Sequence, residues 1–154
     1  QDGRVVSMVL GGYFGSRLMS NIREEKGYTY GIHSSLNALL EGGSFSIFSE
    51  TAVEYVDLLI AEVYKEMDKL CSELISEEEL NMVRNFMLGD AARLVDGTFS
   101  LADVFISMQA NAVDNSHYAK QLETIRTITP LQIQALAQKY FVKENFYEVV
   151  AGKK

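Results

Sequence analysis

The most specific chemical signal in the sequence is an arginine and a tyrosine on either side of one turn. In Asn21-Ile22-Arg23-Glu24-Glu25-Lys26-Gly27-Tyr28-Thr29-Tyr30, Arg23 stands near a helix C-terminus and Tyr30 just inside the next extended segment. Gly27 is the residue type that takes the left-handed conformation closing a helix. A reversal there lets the guanidinium and the phenol converge. Both groups donate hydrogen bonds, which suits them to a peptide carbonyl or an oxyanion. The plainer reading is a solvated helix end whose charges face water.

Other chemistries find less support. Gly11-Gly12-Tyr13-Phe14-Gly15-Ser16 leads into a helix, and a glycine-rich turn at such a point can cradle an anion. No Gly-Lys-Ser/Thr follows, however, so the phosphate-binding lysine is missing, and a tight packed turn explains the glycines better. An anion- or nucleotide-binding domain built on Gly11 to Ser16 is the weakest of the functional readings. His33 and His117 are the only histidines, far apart and outside any H-E-x-x-H or H-x-x-E-H pattern. With a lone cysteine, Cys71, they offer no metal set and no internal disulfide. The chain has 154 residues, with 14 basic against 21 acidic side chains and a formal charge of -7. That charge disfavours nucleic acid and anionic membrane surfaces as partners, and the apolar runs are too short to span a bilayer.

The elements that must hold Arg23 and Tyr30 follow from patterning. Val5 to Leu10 reads as a strand or as the end of a helix. Ser16 to Lys26 reads as a helix, with Leu18, Met19 and Ile22 on one stripe. Tyr28 to Leu36 and Ser44 to Ser49 flank Glu41-Gly42-Gly43 and predict a β-hairpin. Thr51 to Glu54 and Ser76 to Glu79 have the form of capping boxes. The helix after the first carries apolar Val53, Val56, Ile60, Val63, Met67 and Leu70. The helix after the second carries Leu80, Val83, Met87, Ala91 and Leu94. Further helices are expected over Phe99 to Val113, Ser116 to Ile128 and, behind Thr129-Pro130, to about Phe141. Phe146 to Val150 reads as a closing strand. The order predicts a single α+β domain over residues 1–154, with an antiparallel sheet covered by helices on one face.

The stretch Leu10-Gly11-Gly12-Tyr13-Phe14-Gly15-Ser16-Arg17-Leu18, continued by Asn21 through Gly31, resembles the non-zinc half of the pitrilysin/insulinase family of zinc metallopeptidases. This family includes mitochondrial processing peptidase and bacterial zinc proteases. Its pattern there is approximately LGGGxSSRLxxxIREKxGLxYxxxS. Gly15 stands where serine is common and Tyr28 where leucine is common. The segments from Ser76 to Leu80 and from Phe146 to Gly152 are similar to later parts of the family domain.

The resemblance implies a clamshell of two similar α+β domains. One half holds zinc through H-x-x-E-H; the other supplies an arginine and a tyrosine, matched here by Arg23 and Tyr30. In the family that pair positions the substrate peptide and helps stabilise its scissile carbonyl. This chain lacks the zinc motif, so the resemblance implies no cofactor of its own, with zinc in an N-terminal partner domain or subunit and peptides as substrates. It further implies a domain lacking its first strand and part of its first helix, which makes Arg4 to Leu10 a helix end. The alternative is a non-catalytic subunit or scaffold of a heteromeric peptidase of the same family. The compartment is left open, a bacterial cytoplasm or periplasm being compatible.

Overall fold

The computed structural model describes residues 2–39, 42–110 and 113–152. Helix α1, Asp2–Ser7, runs on into a π-helical turn, Met8–Gly12. Val5 to Leu10 is thus helical, and Val5, Val6, Val9 and Leu10 are buried at the centre of the core. A second π-helix, Met19–Glu25, ends at Lys26, and Gly27 follows at φ 66° in the left-handed region. Strands β1, Thr29–Leu39, and β2, Gly42–Thr51, form the expected antiparallel hairpin. Leu39 pairs with Gly42, which puts Gly42 and Gly43 in the strand rather than in the turn. Residues 40 and 41, within the expected turn, lie outside the described residues.

Five helices follow: α2 (Val56–Ser72), α3 (Glu77–Arg93), α4 (Thr98–Ala110), α5 (Asn115–Thr127) and α6 (Pro130–Tyr140). The fold is α+β, and β1 packs against α1 and both π-helices. Leu18, Ile22 and Ile32 from this layer meet Met67, Leu70, Leu80, Ile125 and Ile133 from the helices in one core. The Thr129 cap forms as expected: its hydroxyl accepts from Gln132 N–H while the Gln132 side chain accepts from Thr129 N–H.

Three expectations are corrected. The Thr51 capping box does not form, because Thr51 ends β2 and its hydroxyl donates to the Tyr28 carbonyl at 2.5 Å. The chain passes instead through a short 3₁₀ turn, Val53–Tyr55, so Val53 is exposed and Leu59 takes a core position. The Ser76 box forms by half. Ser76 Oγ accepts from Glu79 N–H, but the Glu79 carboxylate is drawn away by Arg17. Lastly, residues 146–150 are not a strand. Phe146 packs against Phe45, Tyr64 and Phe141, while residues 147–150 are all exposed. A strand exists only through a neighbour's backbone, and the sheet among the described residues has two members, paired with each other.

The close approach of the first π-turn to the sheet depends on Gly11. A Cβ there would lie 2.8 Å from the Ser34 backbone nitrogen and 3.0 Å from Leu18 Cδ1. At Gly27 a Cβ meets nothing within 4 Å, and only the left-handed backbone is at stake. Gly11→Ala is therefore expected to cost about 3 kcal/mol and Gly27→Ala about 1 kcal/mol in urea unfolding. Equal costs, or the reverse order, would contradict this packing.

Candidate functional site

Arg23 is carried by a π-helix, a wide turn in which Lys26 N–H bonds to Asn21 O across five residues. Such segments are uncommon and tend to occur at functional sites. Polar contacts fix this one at both ends. Arg17, just ahead of it, makes a two-pronged bond to Glu79 at 2.7 and 2.9 Å, tying the helix to the start of α3. Burial alone would lower the Arg17 pKa, but the hydrogen bond and charge of Glu79 outweigh it and raise the value. Asn21 spends its side-chain amide on α2, donating to Glu62 Oε2 at 2.9 Å and Glu66 Oε1 at 2.7 Å. Glu66 is buried and also receives Lys69 at 2.7 Å. A buried carboxylate needs such partners to remain charged. Hydrogen bonding to Glu66 in turn raises the Lys69 pKa.

Tyr30 is positioned by an irregularity in the sheet. Thr29 pairs with Thr51 and Ile32 with Ser49, so Tyr30 and Gly31 together oppose the single residue Glu50. This is a β-bulge, which bends a strand and re-aims a side chain. Thr29 and Ile32 are 8% and 1% exposed and both face the helices. Strict alternation cannot place two residues three apart on one face. The extra residue absorbs the mismatch and sends Tyr30 outward, where it is 100% exposed.

Two hydroxyls close the bulge. Thr29 Oγ1 donates to the Glu50 carbonyl at 2.6 Å and accepts from Gly31 N–H at 3.1 Å. Ser49 Oγ, 3.0 Å from Thr29 Oγ1, lies 3.0 Å from the Gly31 carbonyl. The backbone groups released by the irregular register are thereby satisfied.

The two elements meet across Gly27 through Arg23 and the backbone of Tyr30, not through its phenol. Arg23 Nε donates to Tyr30 O at 2.9 Å. The guanidinium carbon sits 4.9 Å from the centre of the Phe14 ring, within cation–π range. Its Nη1 is 3.8 Å from Glu24 Oε1, a distance that leaves the terminal nitrogens open to a further acceptor. The site is thus a half-buried guanidinium oriented by a carbonyl and a ring, next to a phenol standing in solvent. Its chemistry is that of donors for a carbonyl or oxyanion. Sequence reasoning missed Phe14, Asn21, Thr29 and Ser49 as supports. Among these, the spacing of buried Thr29 and Ile32 signals the bulge only once the inward face is known.

The glycine-rich segment behaves as a packed turn, with Gly11 against β1 and the Tyr13 ring tilted against Phe86 at 5.1 Å. His33 lies on β1 against Phe48, and His117 begins α5. Among the described residues, no group of three or more His, Cys, Asp or Glu side chains is arranged to hold a metal ion. No helix there is long and apolar enough to cross a membrane.

Residues 2–87, more than half of the chain, match a family model described as the peptidase M16 inactive domain. An uncharacterized zinc protease of Rickettsia bellii is 31% identical over 81 residues, 53% of this chain and 19% of that protein. A non-peptidase homolog from Helicobacter pylori is 30% identical over 86 residues, 56% of this chain and 20% of its own length. The crystal structure of a peptidase M16 inactive domain from Pseudomonas fluorescens superposes with a TM-score of 0.77 at 24% identity, covering 90% of this chain and 34% of that one. The chain therefore spans only a fraction of these relatives.

The Asn21 clamp generates a pH dependence. The Glu62 carboxyl is held below its ordinary value chiefly by the Asn21 amide; partial burial opposes the shift, and Lys26 and Lys65 add to it. A lowered carboxylate pKa contributes stability that is present above the unfolded value and lost as pH falls through the folded one. Glu62→Gln keeps an acceptor for Asn21 but removes the charge. Its stability deficit in urea unfolding is expected at pH 7 and should shrink as the pH falls below the ordinary carboxylate value. A deficit that stays constant across this range contradicts the assigned ionisation.

Proposed function

This chain belongs to the family of peptidase M16 inactive domains, and from that premise we propose that it is the substrate-positioning half of a zinc metalloendopeptidase. The observation carrying the reading is the meeting of Arg23 and Tyr30 across the Gly27 turn, with Arg23 held by the Tyr30 carbonyl. Among the described residues no group is arranged to hold zinc; on this reading the metal and the water it activates belong to a zinc-bearing N-terminal half. Substrate peptide lies in the chamber between the halves.

Within that chamber, this chain binds and orients. Arg23 Nε is committed to Tyr30 O, and Phe14 fixes the plane of the guanidinium, so the Nη donors face the peptide with little freedom left to lose. The Tyr30 hydroxyl donates to the scissile carbonyl oxygen as negative charge builds there. Donors already in place act mainly on the transition state, where that charge is greatest.

A second reading, a non-catalytic subunit of the same family, is favoured by the name of the Helicobacter pylori relative. Zinc content and peptide turnover of the full-length protein separate the two. In a zinc-loaded full-length enzyme, Arg23→Ala and Tyr30→Phe are each expected to lower kcat/KM at least tenfold, about 1.4 kcal/mol of transition-state binding, with zinc content unchanged. Arg23→Lys should not restore activity, because a single ammonium cannot both hold the Tyr30 carbonyl and serve the substrate. Unchanged turnover in Arg23→Ala and Tyr30→Phe would remove the assigned roles.

A further inference from the structure

Arg23 is a guanidinium with much of its hydrogen-bonding capacity already taken. A carboxylate is bound most strongly by two parallel N–H bonds, along either the Nε–Nη2 edge of an arginine or its Nη1–Nη2 edge. The first edge is closed here, because Nε donates to Tyr30 O at 2.9 Å. The second edge is open but guarded. Glu24 Oε1 stands 3.8 Å from Nη1, too far for a hydrogen bond and near enough for its charge to be felt. Both side chains are partly exposed, at 35% and 48%, so a ligand arriving at that edge meets Glu24 as well. The nearby charge of Lys26 is offset by Glu62, 3.5 Å away.

What leaves such a site differs in charge from what enters it. Hydrolysis breaks the C–N bond of the scissile amide. The carbonyl carbon gains the oxygen of a water molecule, and the amine leaves with both of that water's protons. A neutral carbonyl thereby becomes a carboxylate beside the donors that positioned it. Hydrogen bonds to an ionised acceptor are roughly twice as strong as those to a neutral one. An unguarded guanidinium would therefore hold the product more tightly than the substrate and slow the next turnover.

We propose that Glu24 is a product-release residue: its carboxylate, beside Arg23, disfavours the newly formed chain-terminal carboxylate while the neutral carbonyl of an intact peptide bond stays bound. The inference rests on the substrate-positioning role of Arg23 and Tyr30. A neutral carbonyl needs one N–H and carries only a dipole, so an anion nearby changes its binding little. A carboxylate needs the guarded edge and meets a like charge there. Arg23 thus has room for one oxygen rather than two. By the same physics Glu24 selects against peptides whose own C-terminal carboxylate would lie at Arg23, which favours internal bonds over chain ends.

The test uses the full-length protein and a fluorescein-labelled peptide with the sequence of an N-terminal cleavage fragment, made with either a carboxylate or a carboxamide end. Affinity is read by anisotropy, and the quantity compared is the ratio of acid to amide affinity. Glu24→Gln keeps the shape and removes the charge. It is expected to raise that ratio about tenfold, and its turnover should slow earlier as product accumulates. The gain should fall below about threefold in about 1 M salt, where charges are screened. It should fall similarly in an Arg23→Ala background, where no guanidinium draws the carboxylate to this edge. A ratio unchanged in Glu24→Gln, or a gain undiminished by salt or by loss of Arg23, overturns the product-release role. Turnover by Arg23→Ala alone keeps the two ideas apart: its loss upholds the positioning role whatever Glu24 does. Undiminished turnover there would overturn positioning and product release together.

Discussion

The hydroxyl of Thr29 holds the arrangement together. It is buried, donates to the Glu50 carbonyl and accepts from the Gly31 amide, so that a strand carrying one residue too many stays joined to its neighbour. Without that junction, β1 has two ways to relax: keeping Ile32 inward turns Tyr30 toward the helices, and keeping Thr29 inward turns Ile32 out of the core. The hydroxyl of Ser49 reinforces the same point from β2. A small polar contact of this kind contributes little to global stability, roughly 1 kcal/mol. Its importance lies in direction: it decides whether a phenol faces the helices or the open side of the sheet.

Arg23 is held by different means. Its backbone lies in a π-helix secured by Arg17 on α3 and Asn21 on α2, with the buried Glu66 carboxylate at the centre of the second contact. Its side chain is then set by the Tyr30 carbonyl and the Phe14 ring. Because Tyr30 O belongs to the bulge, the two functional groups are not independent. The strand irregularity that turns the phenol outward also presents the carbonyl that orients the guanidinium. That coupling is why a pair only seven residues apart in sequence can act as one site.

Much of this was legible in the sequence, and the exceptions have physical causes. Gly27, the hairpin, the Thr129 cap and the proximity of Arg23 to Tyr30 follow from local chemistry that the structure obeys. The Thr51 box failed because a strand end competed for the same hydroxyl, and the Ser76 box was half-formed because Arg17 offered Glu79 a stronger partner than a backbone amide. The segment from Phe146 to Val150 has strand-forming aromatic and β-branched residues, yet pairing is a property of two segments and cannot be read from one. The bulge is the most consequential omission. Period-two reasoning puts Thr29 and Ile32 on opposite faces, and only the observed register shows that Gly31 is the residue that breaks the count.

The most direct test of the account is a double-mutant cycle on peptide turnover by the zinc-loaded full-length protein, combining Thr29→Val with Tyr30→Phe. If the Thr29 hydroxyl acts by directing the phenol, Thr29→Val alone lowers kcat/KM about as much as Tyr30→Phe does. The double variant is then no worse than the poorer single one, with zinc content and unfolding temperature nearly unchanged. Fully additive losses, or a Thr29→Val enzyme with normal turnover, would contradict the claim that the bulge sets the site.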